Sequence, residues 1–262
     1  MIKTRTLGAV LPAAEFRFRT GPDGVAVATP VGPEVDARIV RLDVVRVPAG
    51  RVWTAADAPG EENVAVVFAG HGLATSGPDT SAVTRADTVY SPTGDGLALA
   101  AGGEGLTAYV WRTVLLDGSR PGTAPARFSR LWNGTTRLTG FAGTGQAEAS
   151  ARTATMNFLF WPGTGSPQLC LHCGYMRPGE YFNVHVHPDS EEAFFVFEGT
   201  GQLHLDGEWI DAGPGDVLFA APGVPHGTRH PGAHDGRFAT CGGPTPFDPV
   251  LYRRAGVSPE VI

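Results

Sequence analysis

Two neighbouring stretches decide the fold: GEYFNVHVHPDSEEAFFVFEGTG at residues 179–201 and GDVLFAAPGVPH at residues 215–226. They contain four side chains that can bind a metal ion, namely His185, His187, Glu192 and His226. Successive side chains of a strand point to opposite faces, so His185 and His187 share one face. The Pro-Asp-Ser turn before Glu192 predicts a hairpin that brings this carboxylate back over the two histidines. The spacing therefore predicts a divalent metal site with four protein ligands.

The composition predicts an all-β protein. The chain has 262 residues, of which 42% are hydrophobic and 18% are charged, and this balance is typical of a globular protein with a well-filled core. Its 36 glycines and 22 prolines separate short runs that are rich in Val, Phe and Thr. Short strands broken by frequent turn residues favour a sandwich or a barrel.

The chain contains an internal repeat. The difference 179 − 50 equals 129 and recurs as 199 − 70 and 223 − 94, so one shift superposes three glycine pairs: Gly50 and Gly179, Gly70 and Gly199, Gly94 and Gly223. The same shift places four non-ligand residues opposite the ligands: Ala56, Ala58, Asn63 and Leu97. Turn glycines are kept where the backbone needs a positive φ, whereas ligands are needed only where a metal binds. We therefore expect the first half to have the same fold without the ion.

The repeat and the composition together predict the domain organisation. Residues 1–120 form the first barrel, residues 121–150 a linker with leading strands, and residues 151–262 the metal-binding barrel. The linker prediction rests on the Gly, Pro, Ser and Arg content of DGSRPGTAPARFSR at residues 117–130. The tail FDPVLYRRAGVSPEVI is expected to pack on the outside.

Residues 179–199 follow the pattern G, five residues, H, one residue, H, four residues, E, six residues, G, and the second stretch ends in PGVPH. These resemble the two motifs of the cupin superfamily, and the whole chain resembles a bicupin with a degenerate N-terminal cupin. The resemblance implies two tandem antiparallel jelly-roll barrels, with a metal in the second held by the four ligands named above. The chain departs from the pattern at Ala221, where proline is usual, and at His230, where asparagine is common.

The ligand set restricts the chemistry of the ion. Three neutral imidazoles and one carboxylate leave a divalent ion with a net charge of about +1 and, in six-coordination, about two open positions. A substrate with adjacent oxygens can chelate there, or dioxygen can take one position on a redox-active metal. We expect one divalent ion in the C-terminal barrel, iron first, with Mn, Ni, Zn, Co and Cu as alternatives.

Side-chain parity predicts which residues surround the ion. Tyr181 and Asn183 share the face of His185, and His230 shares that of His226. These three are the candidate catalytic or ligand-orienting groups. The candidate substrate-binding wall consists of four residues: Phe194, Val196, Phe219 and Thr228.

The segment CLHC at residues 170–173 is the remaining cluster of reactive side chains. Positions three apart in a strand face opposite ways, so the two thiols are expected to diverge and to be buried as small residues. Parity leaves open whether Cys170 with His172 or Cys173 with Tyr175 faces the barrel interior.

Three function classes are compatible with such a site, because this superfamily covers many reactions. The leading expectation is a non-haem dioxygenase acting on a small organic substrate. The alternative is a non-redox isomerase, lyase or hydrolase of a sugar acid, keto acid or ureide. A small-molecule binding or sensor protein is the third.

Charge and hydropathy restrict the partners. The net charge of −6 and the absence of a Lys/Arg cluster argue against nucleic acid and anionic membranes and favour a small-molecule substrate. No apolar run approaches ~18 residues, no signal-peptide core is evident, and three cysteines agree with a reducing compartment, so we expect a cytoplasmic protein. A homodimer is one way to cover an exposed apolar sheet face.

Overall fold

The computed structural model describes residues 3–5, 7–55, 59–116, 126–134, 136–137 and 155–249. Within these ranges there are three short 3-10 helices, at Ala13–Glu15, Pro33–Val35 and Pro162–Thr164. Strands of the first half and the connecting region are β1 (Lys3–Arg5), β2 (Gly8–Leu11), β3 (Arg19–Thr20), β4 (Ala26–Val31), β5 (Arg41–Val47), β6 (Val52–Thr54), β7 (Glu61–Ser76), β8 (Asp79–Thr84), β9 (Asp87–Ser91), β10 (Leu97–Val114), β11 (Phe128–Arg130) and β12 (Thr136–Arg137). Strands of the second half are β13 (Thr155–Phe160), β14 (Leu171–Met176), β15 (Tyr181–His185), β16 (Glu191–Glu198), β17 (Gly201–Leu205), β18 (Glu208–Ala212), β19 (Val217–Ala220), β20 (His226–Arg229) and β21 (Phe238–Thr245).

The described strands form three sheets and pair antiparallel. One sheet has the order β1-β2-β19-β16-β21-β14-β13-β12, and a four-stranded sheet, β15-β20-β17-β18, completes the second barrel. The third has the order β11-β9-β7-β10-β5-β4-β3, with β6 on β10 and β8 on β7. The prediction of an all-β chain with two tandem antiparallel jelly-roll barrels is confirmed.

The two halves repeat one strand order, as the shift of 129 residues predicts. That shift carries β4 onto β13 residue for residue, and the helix at Pro33–Val35 onto that at Pro162–Thr164. The three glycine pairs all have positive φ: 69° and 83° at Gly50 and Gly179, 79° and 73° at Gly70 and Gly199, and 86° and 80° at Gly94 and Gly223. Positive φ is strained for residues with a Cβ atom, which is why these turns retain glycine. Asn63 and Leu97 stand at two ligand positions of the first barrel, whereas Ala56 and Ala58 lie outside the described residues.

Each half contributes a leading strand to the sheet of the other. β2 pairs with β19 of the second half, with Leu11 opposite Val217. β11, which precedes the second half, pairs with β9 of the first half, with Phe128 opposite Val89. This exchange joins the two barrels through main-chain hydrogen bonds. The domain boundaries predicted at residues 120 and 150 lie outside the described ranges and stay predictions.

Two buried glutamates, related by the same shift, bind the main chain of the opposite barrel. Glu191 accepts hydrogen bonds at 2.7, 2.8 and 2.9 Å from three consecutive N–H groups, those of Arg38, Ile39 and Val40. Glu62 accepts them at 3.1 and 2.6 Å from the N–H groups of Gln168 and Leu169. Buried carboxylates are costly unless they are paired in this way, so the two contacts require the barrels to be docked.

An apolar cluster fills the space between the barrels. The rings of Tyr109 and Phe195 stack with their centroids 3.8 Å apart, and the Trp111 indole nitrogen donates to the carbonyl oxygen of Ala193 at 2.8 Å. Phe219 belongs to this cluster, and separate apolar clusters fill the two barrel interiors. Burial of each such large side chain contributes about 1.5–3 kcal/mol.

No helix within the described ranges is long and apolar enough to cross a lipid bilayer. The expectations of a cytoplasmic location and of a homodimer stay predictions.

Removal of the Glu191 carboxylate should weaken the contact between the barrels. In Glu191→Ala three N–H donors lose their acceptor. The buried donor of Val40 alone costs about 1–3 kcal/mol when it is left without one, so the free energy of unfolding should fall by at least ~1 kcal/mol. Urea denaturation followed by tryptophan fluorescence measures this loss. Glu104→Ala, at an exposed position, is the control. Equal losses in the two variants would contradict the role assigned to Glu191.

Candidate metal centre

The structure brings the four predicted ligands together inside the second barrel. His185 ends β15, Glu192 is the second residue of β16, and His226 begins β20 opposite His185. His187 lies in the connection between β15 and β16. All four are buried, and their candidate ligand atoms lie within 4.8 Å of one another.

One carboxylate oxygen, Glu192 Oε2, lies close to all three imidazoles. It is 2.7 Å from Nε2 of His226, 2.9 Å from Nε2 of His187 and 3.7 Å from Nε2 of His185. The three Nε2 atoms therefore converge on a single carboxylate.

The opposite ring nitrogen of each histidine is held by an oxygen. Nδ1 lies 2.8 Å from its partner in each case: the carbonyl oxygen of Asn183 for His185, the carbonyl oxygen of Val224 for His226, and Oδ2 of Asp248 for His187. Carbonyl oxygens and an ionised carboxylate only accept hydrogen bonds, so we infer that each Nδ1 carries a hydrogen.

This arrangement fits a metal ion. With hydrogen on Nδ1, a neutral imidazole presents a lone pair at Nε2. Three such lone pairs and a carboxylate oxygen repel one another unless protons or a metal cation lie among them. Imidazole and carboxylate donors suit divalent Mn, Fe, Co, Ni, Cu and Zn, and the hydrogen bonds at Nδ1 fix the rings as ligation requires. The cluster could therefore bind a divalent metal, and its donor set does not select one of these.

The metal-free ligands differ in protonation. Burial lowers the pKa of His187, but Asp248 and Glu192 outweigh that effect and raise it to about 9. Burial, with a contribution from His226, lowers the pKa of His185 to about 4. Burial raises the pKa of Glu192, yet the surrounding imidazoles hold it well below its usual value. Without metal, a proton on His187 thus supplies part of the compensating positive charge.

A small cavity adjoins the ligands. About 30 Å³ is open to the centre of a water-sized sphere, and the cavity is partly open to solvent. Its walls, apart from the ligands, are Met156, His172, Phe182, Phe194, Gly227, Thr228, Thr240 and Gly242. A larger open groove of about 630 Å³, near Asp211 and His234, contains none of the ligands.

A β-bulge changes the predicted lining on β15. The pairing of β15 with β20 is irregular between Phe182 and His185, so Phe182, rather than Tyr181 or Asn183, lines the cavity beside His185. The parity assumed for Tyr181 and Asn183 was therefore wrong. Asn183 still serves the site, through the main-chain carbonyl that holds His185.

The other predicted lining residues divide into two groups. Phe194 and Thr228 line the cavity as expected. Val196 lies in the core of the second barrel but not on the cavity wall, and Phe219 points the opposite way, into the cluster between the barrels. His230 is also absent from the wall: its main chain bonds Gly179 and Glu180, and its Nδ1 accepts from the N–H of Gly232 at 3.1 Å.

His172 is the non-ligand imidazole of the cavity wall. Its Nε2 lies 4.0 Å from Oε1 of Glu192, and burial lowers its pKa to about 4. Of the two open alternatives for residues 170–173, the structure selects Cys170 with His172 on the interior side. Cys173 belongs to the cluster between the barrels, apart from Cys170, and all three cysteines are buried.

Sequence reasoning missed three residues of the cavity wall, Met156, Phe182 and Thr240, and also Asp248. The tail was expected to pack on the outside, yet Phe247 and Asp248 are buried, and Asp248 contacts a ligand. No spacing rule connects it to His187, which precedes it by 61 positions. Residues 250–262 lie outside the described part of the tail.

Comparison with known proteins finds a cupin domain in the second half of the chain. The model of the cupin domain (Cupin_2) matches residues 175–241, which contain all four ligands. The segment that carries the four ligands is therefore similar to a cupin domain. The dimethylsulfoniopropionate lyase DddQ of Ruegeria pomeroyi is 37% identical over 65 residues, which are 24% of this chain and 32% of that protein. The match thus spans about a third of the lyase.

Solved structures share the fold over nearly the whole chain. A putative glyoxylate-induced protein from Pseudomonas aeruginosa has a TM-score of 0.72 at 16% identity, with 92% of this chain and 90% of that chain covered. The protein Ylba from E. coli has 0.71 at 14%, with 94% and 95% covered. Oxalate decarboxylase from Bacillus subtilis has 0.66 at 10%, with 92% and 76% covered.

Metal binding should release a proton near neutral pH. Metal-free His187 is protonated below about pH 9 and must lose that proton to become a ligand, so affinity should rise with pH and level off above about 9. Calorimetry with Mn²⁺ at pH 7.5, in buffers of different ionisation enthalpy, should count about one released proton. A count of zero would contradict this assignment.

Proposed function

We propose that the second barrel is a metal-dependent enzyme site that cleaves or rearranges a short carboxylate without consuming oxygen, as a lyase does. The observation that carries the proposal is the small cavity that joins the four-ligand cluster to the His172 imidazole. The proteins similar to this chain support a small carboxylate, because their names refer to dimethylsulfoniopropionate, glyoxylate and oxalate.

Charge balance favours an anionic substrate. A divalent ion and the Glu192 carboxylate leave a net charge of about +1, which one substrate carboxylate neutralises. The bound ion would act as a Lewis acid that polarises the substrate oxygens and stabilises negative charge beside them. Met156, Phe182 and Phe194 form apolar walls that exclude water around this charge.

His172 is suited to moving a proton. Because burial keeps its pKa low, its imidazole is neutral at pH 7 but a weak base. Transfer of a proton to it from the carbon next to the substrate carboxylate would therefore rely on the ion to acidify that carbon. Thr240, also on the wall, offers a hydroxyl that can orient the substrate. Abstraction of such a proton is the first step of many elimination and isomerisation reactions, and this step requires no oxidant.

The second candidate is the non-haem dioxygenase that the sequence first favoured. Two open positions on an iron ion, beside the rings of Phe182 and Phe194, are compatible with dioxygen next to an apolar substrate. Of the four similar proteins, the two whose names state an activity are a lyase and a decarboxylase.

Turnover without oxygen distinguishes the two candidates. Protein loaded with Mn²⁺, and separately with Fe²⁺, is incubated with dimethylsulfoniopropionate, oxalate, glyoxylate and short 2-hydroxy acids, and products are followed by proton NMR. We expect at least one acid to turn over at the same rate under nitrogen and in air. Turnover confined to the iron form, with matching oxygen uptake, would establish the dioxygenase. Binding without turnover on all acids would establish a binding protein.

Two histidine variants should separate metal binding from proton transfer. His226→Ala should lose both metal and activity, because one of the four ligands is gone. His172→Gln should retain metal content and lose turnover by about 10²–10⁴-fold, the usual contribution of a general base. His71→Gln, at an exposed position of the first barrel, is the control. Full activity in His172→Gln would exclude the role given to His172.

A further inference from the structure

We infer that Asp248 is a positioning residue of the metal centre, delivered to it by the segment that follows β21. The inference rests on the metal site of the proposed function, but not on the reaction catalysed there. Asp248 lies outside the segment that matches the cupin domain, which ends at residue 241. It would orient His187 and strengthen it as a ligand.

The geometry is that of a carboxylate–histidine–metal arrangement. Oδ2 of Asp248 lies 2.8 Å from Nδ1 of His187, whose Nε2 faces Glu192 at 2.9 Å. The side chains of His187 and Asp248 are 1% and 9% exposed, so water barely competes for the contact. A carboxylate on the distal nitrogen fixes the tautomer and ring orientation of a ligating histidine and increases its basicity.

The three histidines are oriented by different means. His185 and His226 each bond the carbonyl oxygen two residues earlier in the chain, at Asn183 and Val224. Such local contacts form wherever the strand itself forms. His187 instead depends on a charged side chain 61 positions later. Of the three histidines, His187 is therefore the one whose ring orientation depends on a tertiary contact.

The segment that carries Asp248 is itself anchored. Phe247 packs against Trp161 with ring centroids 5.2 Å apart, and its main-chain N–H donates to the carbonyl oxygen of Gln168 at 3.1 Å. Gln168 in turn accepts from the N–H of Leu116 at 2.8 Å through its side chain. These contacts fix the segment that carries Asp248, and they come from residues outside the strands that carry the ligands.

Zinc affinity and a proton resonance together test the inference. We expect Asp248→Ala to weaken Zn²⁺ binding about 10–100-fold, by competition with a chelating dye. Asp248→Asn keeps an acceptor oxygen but loses the charge, so its Kd should be intermediate. In the zinc-loaded protein, the slowly exchanging Nδ1–H proton of His187 should be visible by NMR in the wild type and in Asp248→Asn. It should be lost in Asp248→Ala.

Controls separate positioning from folding. Asp235→Ala, at an exposed position, should leave the zinc Kd unchanged, and thermal unfolding of the metal-free proteins reports their integrity. A Kd within threefold of the wild type in Asp248→Ala contradicts the inference. So does weakened binding with the His187 resonance unchanged, because that result indicates a merely structural role. If the wild-type protein turns over none of the carboxylates, the zinc Kd and the His187 resonance still test the role of Asp248. If the wild-type protein binds no zinc, both the proposed function and the role of Asp248 are overturned.

Discussion

The burial of one carboxylate among three imidazoles is the constraint on which the second barrel depends. Glu192 has no place in an apolar interior unless positive charge accompanies it. Protons or a metal ion can provide that charge, and the hydrogen bonds at each Nδ1 direct the Nε2 lone pairs to the position where a metal would lie. Burial of this carboxylate among the imidazoles therefore creates a cluster that could bind a metal ion.

The first barrel meets a related constraint without metal ligands. Asp43, which stands at the position of His172 after the shift of 129 residues, is 1% exposed. Arg112 lies 3.4 Å from this carboxylate and 2.6 Å from that of Glu61, so a guanidinium provides the internal positive charge. The chain thus contains two ways of compensating buried carboxylates: a guanidinium in the first barrel, and in the second barrel imidazoles that could bind a metal ion.

The sequence predicted those features that depend on local geometry. The ligands and turn glycines follow from strand parity and positive φ, which act over a few residues. The prediction of the cavity lining was wrong where a bulge between Phe182 and His185 interrupts that parity. A bulge depends on the partner strand, so it could not be predicted from the strand's own sequence. The prediction that Phe219 lines the cavity was also wrong. Both faces of β19 carry apolar, buried residues, so the sequence does not indicate which face points into the barrel. Asp248 could not be predicted, since only tertiary contacts bring the tail to His187.

Consecutive residues of β16 connect the metal centre to the contact between the barrels. Glu192 faces the three imidazoles, while Glu191 faces away and accepts hydrogen bonds from the main chain of the first barrel. Gln168 makes a second connection, because it bonds Leu116 at the end of the first barrel and Phe247 beside Asp248. The half without metal ligands therefore helps to hold both a ligand strand and the segment that orients His187. The described residues of the first barrel thus contribute to the site through these docking contacts.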